Sequence, residues 1–446
     1  MQKFETDYNK IIERIKNIDP VIYARTRNSL DGDVSYISRY LTHGVVSLKL
    51  VKDITNKISN TNLENKNYSD NIKYEKWNQE LAWREYFHRV WQSLGDDIFS
   101  SIRQDQSNVK HASGIPISFA NLSSYSKIEE VKKDNKESGK ENSELDSTGV
   151  KSLDRNIEKL IETGYMHNHA RMWTSMLATN IAGYAWSDCS RWMYYHLIDG
   201  DLASNTLSWQ WICSTFSAKQ YVANQENINK YDRDNAQRKT YLDCEYEDLY
   251  DAVLPESMIA SFDIQKYFDD DFELDTQALN KYSIGNILKD KNKEGENENK
   301  KEENKLELEQ VLNFENNFDK NKNTIIYSMW NLDPTWYEDK GDNINRILFI
   351  EKSALKDFPM STKRIEFVLE ITKNISDKYK NFQILYGEIN ELEGLVTKDK
   401  LDNSISREYP LCNHWGNLVE DREWLYPNYS WSSGGFMSFW SKVNGR

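Results

Sequence analysis

Apolar side chains recur at helical spacing through most of the first 230 residues of this chain. The run from Tyr8 through Ile11, Ile12 and Ile15 is one instance, and Trp77 to Trp91 is another, so residues 1–125 are expected to be helical. Residues 127–147 break the pattern: charged, serine-rich and nearly without apolar side chains, they predict a disordered surface insertion. Helical patterning resumes near residue 151 and lasts to about 230. Lys289 to Lys305 is almost wholly Lys, Glu, Asn and Gly, which predicts a flexible tether. Beyond it the period changes. Thr324–Trp330, Arg346–Ile350 and Phe382–Tyr386 are short apolar runs that read as strands. Between the last two, Ser361 to Ile375 reads as a helix with Ser361 or Thr362 as its N-cap. Strand–helix–strand implies a small parallel α/β unit. The aromatic, glycine-rich tail from Trp424 to Trp440 receives no role from its pattern.

The expected fold class is therefore mainly α, in three parts. These are a helical domain over 1–230, an acidic linker region over 231–323 that contains the tether, and a small α/β domain over 324–446. A length of 446 residues allows two or three domains and a large core. The net charge of −14 argues at first against nucleic acid. Its location changes that. Residues 1–230 hold 29 basic and 29 acidic side chains, leaving 28 of the 57 basic and 42 of the 71 acidic ones to the remainder. A neutral domain can present a local basic face to phosphates. Four widely spaced cysteines without a CxxC pair argue against a disulfide framework or zinc site and fit a reducing compartment. The first residues lack a signal-peptide layout, and no apolar run approaches membrane-span length. A cytoplasmic protein without membrane partners is expected.

Chemistry concentrates between Leu197 and Trp211. Two acids, Asp199 and Asp201, an amide, Asn205, and two indoles, Trp209 and Trp211, lie within thirteen residues. Such a set suits a flat, polar-edged, redox-active ring better than a solvated helix face. Three more motifs precede it in order: Tyr23 with Ser35–Ser38 and Tyr40–Gly44, then Trp77–Glu85, then Thr163–Met172. Together these resemble the flavin-binding domain of the photolyase/cryptochrome family. Photolyases usually carry an α/β domain before the helical one, so the order here would be reversed.

The resemblance implies FAD as cofactor and assigns roles residue by residue. Tyr23, Ser35 and Ser38 would hold the FAD phosphates, with Trp77 and Arg84 nearby. Taken alone, two serines at a helix start are a cap; the companion motifs give them the other meaning. Arg171 and Asp199 would form an ion pair against the flavin ring, Asp201 would bond its polar edge, and Asn205 would face N5. Glu80 and Trp83 match an acid and an indole that receive a flipped thymine, and Trp211 matches a second stacking wall. Asn168, shared with the cofactor set, and Met172 match the pair found in cyclobutane-dimer photolyases, where (6-4) photolyases carry two histidines. Trp209 and Trp186 match the first two tryptophans of the photoreduction chain. The third is missing, since no tryptophan lies between Trp91 and Trp173. His169 stands where many photolyases place a DNA-contacting arginine, and no antenna cofactor is implied. His167 and His169, two apart on a helix, diverge too far to share a metal. The expected function is light-driven repair of cyclobutane pyrimidine dimers, with UV-damaged DNA as partner. A cryptochrome-like sensor with a protein partner is the alternative, and a flavin-free helical DNA-binding or scaffold protein ranks third.

Overall fold

The computed structural model describes residues 4–61, 68–127, 144–285 and 318–445. The expected tether lies outside them, as does all but the ends of the expected insertion. Local chemistry sets the first helices. Asp7 accepts from Lys10 N at the start of Tyr8–Lys16, whose Ile11 and Ile15 are fully buried. Asp19 accepts from Val21 N and Ile22 N ahead of Pro20–Thr26, with proline at the first position, where its missing N–H costs nothing. Tyr68–Leu94 is the longest helix described, and Lys151–Thr163, Asn168–Met176, Trp186–His196 and Leu202–Ile212 follow.

Ile115–Pro116 (β1) pairs antiparallel with Ser261–Phe262 (β2). A second sheet consists of Thr324–Tyr327 (β3), Asn345–Glu351 (β4), Phe382–Gly387 (β5), Ile405–Arg407 (β6) and Leu418–Glu420 (β7). Its order is β5-β4-β3-β6-β7 and every pairing is parallel. The helix Thr362–Ser376 lies between β4 and β5 in sequence. The fold is thus mainly helical with a small parallel α/β unit, as the pattern predicts. β6 and β7, three residues each, were too short to register as apolar runs.

The expected division into parts does not match the packing. One core joins Ile11, Val51, Tyr86 and Val90 of the N-terminal helices to Ile326, Phe367 and Ile371 of the α/β unit and Phe439 of the tail. A second contains Ile157, Trp173, Trp192 and Trp209. Residues 231–285, expected as linker, contribute Leu242, Leu249, Met258, Ile264 and Phe268 to that second core. Their acidity misled because acidic and apolar positions occupy different faces. Along Ile264–Thr276, Ile264, Tyr267 and Phe268 are buried while Asp269 and Asp270 stay exposed. Among the described residues no helix is long and apolar enough to cross a membrane.

Candidate functional site

The loop between Trp186–His196 and Leu202–Ile212 carries the two acids. Its path depends on Gly164, which ends Lys151–Thr163 at φ +69°. A Cβ there would stand 2.5 Å from Ile198 Cγ1, so any other residue would have to displace Ile198 from a backbone conformation that side chains disfavour. Ile198 N donates to Gly164 O at 2.9 Å, and Thr42 Oγ1 donates to Asp199 O at 3.0 Å. The α/β unit holds the same loop. Arg364, fully buried and stacked on the Tyr194 ring, donates to Gly200 O. His43 has Nδ1 2.7 Å from Met329 O, just past β3, and Nε2 3.0 Å from Ile198 O.

Arg171 Nη2 donates to both oxygens of Asp199 at 2.8 and 2.9 Å, the expected ion pair. Burial opposes ionisation of Asp199, but Arg171 and Arg39 outweigh it and hold its carboxyl below the ordinary value. Ser38 Oγ also donates to Asp199. Asp201 caps Leu202–Ile212 by accepting from Ser204 N at 2.8 Å. Its Oδ2 lies 3.0 Å from Arg84 Nη2 and 2.8 Å from His88 Nε2. Here too burial is outweighed, by Arg84 and then His88, and the carboxyl is held well below the usual range. Asn205 Nδ2 donates to Ser190 O and Oγ, which leaves Oδ1 as its remaining hydrogen-bonding atom.

These side chains meet at a cavity of about 500 Å³. Tyr23, Ser35, Ser38, Trp77, Arg84, Asn168, Arg171, Asp199, Asp201 and Asn205 all line it, and so do Glu80, Trp83, Met172, Trp209 and Trp211. Four motifs scattered over nearly 190 residues of sequence are brought to one wall. Tyr23 meets Trp77 edge-on at 4.9 Å. Asn168 Nδ2 and Met172 Sδ are 3.9 Å apart, and Trp211 is 39% exposed at the mouth.

The remaining site residues make the following contacts. Ser38 donates to Asp199, and Arg84 pairs with Asp201. Glu80 is paired with Lys76 at 3.0 Å and Arg27 at 3.4 Å. Trp186 does not line the cavity; it sits in the second core with Nε1 donating to Ser101 Oγ. His167 accepts from His169 N, and His169 stacks on Trp173 with Nδ1 2.7 Å from Asn28 O. Arg39, His88, Arg364 and Phe436 carry no signal in the sequence. Arg39 is 1% exposed, its guanidinium 3.2 Å from the Phe4 ring centre, and burial lowers it to about 10. Phe436 of the tail helix Phe436–Val443 stacks on Trp83 at 3.7 Å and 11°.

The donor set fits a dinucleotide flavin. Asp201 lines the cavity with its carboxylate held by Arg84 and His88, and Asn205 lines it with Nδ2 tied to Ser190, so that its Oδ1 is left as an acceptor for a polar ring edge. Aromatic walls and fixed cations complete it.

The comparisons with known proteins agree. Residues 77–266 match the family model described as the FAD binding domain of DNA photolyase. The mitochondrial deoxyribodipyrimidine photo-lyase of Saccharomyces cerevisiae is 28% identical over 206 residues, 45% of this chain and 33% of that one. The cryptochrome DASH of Ostreococcus tauri is 27% identical over 240 residues, 53% of this chain and 38% of that one. The solved Synechocystis cryptochrome overlaps 51% of this chain and 44% of its own, with 20% identity and a TM-score of 0.38. The chain thus spans about a third of the length of the yeast relative. Over residues 77–266 the chain is similar to the FAD binding domain of DNA photolyases.

Proposed function

We infer that the chain binds FAD in this cavity and repairs cyclobutane pyrimidine dimers in DNA under blue light. One observation carries the reading: a single cavity is lined both by the flavin residues and by Glu80, Trp83, Asn168, Met172 and Trp211. Bound and reduced, FAD supplies a light-activated electron donor. The chain's own residues do the rest. Arg171 keeps a fixed cation beside the ring, oriented by Asp199. Trp83 and Trp211 give flat walls for a base pair flipped out of the duplex. Asn168 and Met172 supply no proton donor near neutral pH, which suits ring splitting and not (6-4) repair.

A cryptochrome-like sensor is the second reading, and the contacts of Arg364 and His43 favour it. They join the flavin loop directly to the α/β unit, a route by which a change at the ring could reach a protein partner.

The absorption spectrum of the purified chain tests the flavin, and blue-light repair of dimer-containing oligonucleotides tests the chemistry. Repair of a cyclobutane substrate and not a (6-4) substrate is expected. Repair of neither, with flavin bound, selects the sensor. Trp83→Ala should weaken binding of dimer DNA about 5- to 150-fold, checked by equilibrium titration in the dark.

A further inference from the structure

His88 does not line the cavity that receives Asp201. It lines a second cavity of about 80 Å³ between the helical part and the sheet, beyond the carboxyl ends of β3 and β6. There Arg422 Nη1 is 2.6 Å from His88 Nδ1, and Arg422 Nε donates to Glu408 Oε2 at 2.6 Å. A guanidinium can only donate, so His88 Nδ1 must accept. The imidazole proton therefore sits on Nε2, 2.8 Å from Asp201 Oδ2. A chain of contacts runs from Glu408 through Arg422 and His88 to Asp201, and its first two members belong to the α/β unit.

We propose that His88 is a positioning residue for Asp201, its tautomer fixed by Arg422, so that the C-terminal α/β unit helps to build the flavin edge. The second half of this statement rests on the flavin reading above. The charged groups facing His88 are Asp201, Arg84 and Arg422, with Glu408 behind Arg422; the rings of Trp91 and Tyr409 close the other sides. Burial, reinforced by Arg422 and Arg84 against the pull of Asp201, holds the imidazole below its ordinary value. A neutral N–H orients the carboxylate without cancelling its charge. An imidazolium would instead put a second full cation beside Arg84 and alter the field at the ring edge.

Two arms test this on the full chain. In the first, [15N]histidine NMR without added FAD reads the ring nitrogens of His88 between pH 6 and 9. The neutral Nε2–H form is expected in the wild type. In Arg422→Leu, His88 should become protonated beside Asp201, with its titration moved up by about one pH unit or more. An Nδ1–H tautomer or an imidazolium in the wild type at pH 7, or an unchanged His88 in Arg422→Leu, overturns the proposal. In the second arm, FAD affinity is titrated. His88→Leu should weaken it about tenfold. His88→Gln, whose amide can donate to Asp201 and accept from Arg422, should restore it. Equal affinity in wild type and folded His88→Leu overturns the flavin-edge role, as does a Gln variant no better than Leu. A wild-type chain that takes up no FAD defeats the flavin reading instead, and the NMR arm still decides the tautomer. Should His88→Leu fail to fold, the comparison of wild type with Arg422→Leu and His88→Gln carries the decision.

Discussion

At the scale of single residues, the site is a set of buried charges that neutralise one another. Arg171 and Asp199 are the clearest pair. Removing one member of a buried pair strands the other, so Arg171→Gln should cost about 3 kcal/mol, read from urea unfolding without added FAD. This pair was legible in the sequence because its two motifs are distinctive. Arg39, His88 and Arg364 were not, since nothing local distinguishes a buried cation from the solvated ones around it. Histidine burial gives a second prediction. His43 is held down to about 3 by burial and by Arg364, and His167 to about 4 by burial and by His169. Both folded values lie below the ordinary 6.5, so below pH 6.5 the unfolded chain binds protons that the folded chain refuses. Stability should be full above pH 6.5 and fall as pH drops toward 4 and 3. His43→Gln should flatten that slope by about 1.4 kcal/mol per pH unit, read from urea midpoints across the window. Asp199 and Asp201, held below the ordinary 3.8, add to the loss from about pH 4 downward.

At the scale of elements, periodicity succeeded where an element is long and two-faced. The helix expected over 361–375 is observed at Thr362–Ser376, and the three expected strands are β3, β4 and β5. It failed where composition masked a stripe, as in Ile264–Thr276, and where the element was short, as in β6 and β7. The tail is the instructive case. Its aromatics carried no assignable meaning, yet Phe436 is 4% exposed and backs the indole expected to receive a base. Phe436→Ala should destabilise the fold by about 3–5 kcal/mol and change the near-ultraviolet circular dichroism of Trp83. An unchanged spectrum with unchanged stability would show that Trp83 is held by other contacts, such as Phe87 at 5.4 Å.

At the scale of the whole molecule, the helical part and the α/β unit share one core. A chain ending near residue 285 would expose Tyr86, Val90 and their neighbours and would lose the Arg364 bond to Gly200. Such a chain should fail to unfold cooperatively in urea, whereas the full chain should lose helix and tertiary signals in one transition. Two separate transitions in the full chain would contradict the shared core. The sequence by itself determined which residues form the four motifs, because their types and spacing are local and specific. It also determined the mainly helical class and the presence of a parallel α/β unit, because hydrophobic period is written residue by residue. Only the tertiary structure decided which apolar faces meet, which cations settle on Asp199 and Asp201, and that the C-terminal unit grips the loop between them. Hydrophobic burial has no direction, so an amphipathic stripe states that a partner exists without naming it. Charge pairing across hundreds of residues leaves no spacing to read.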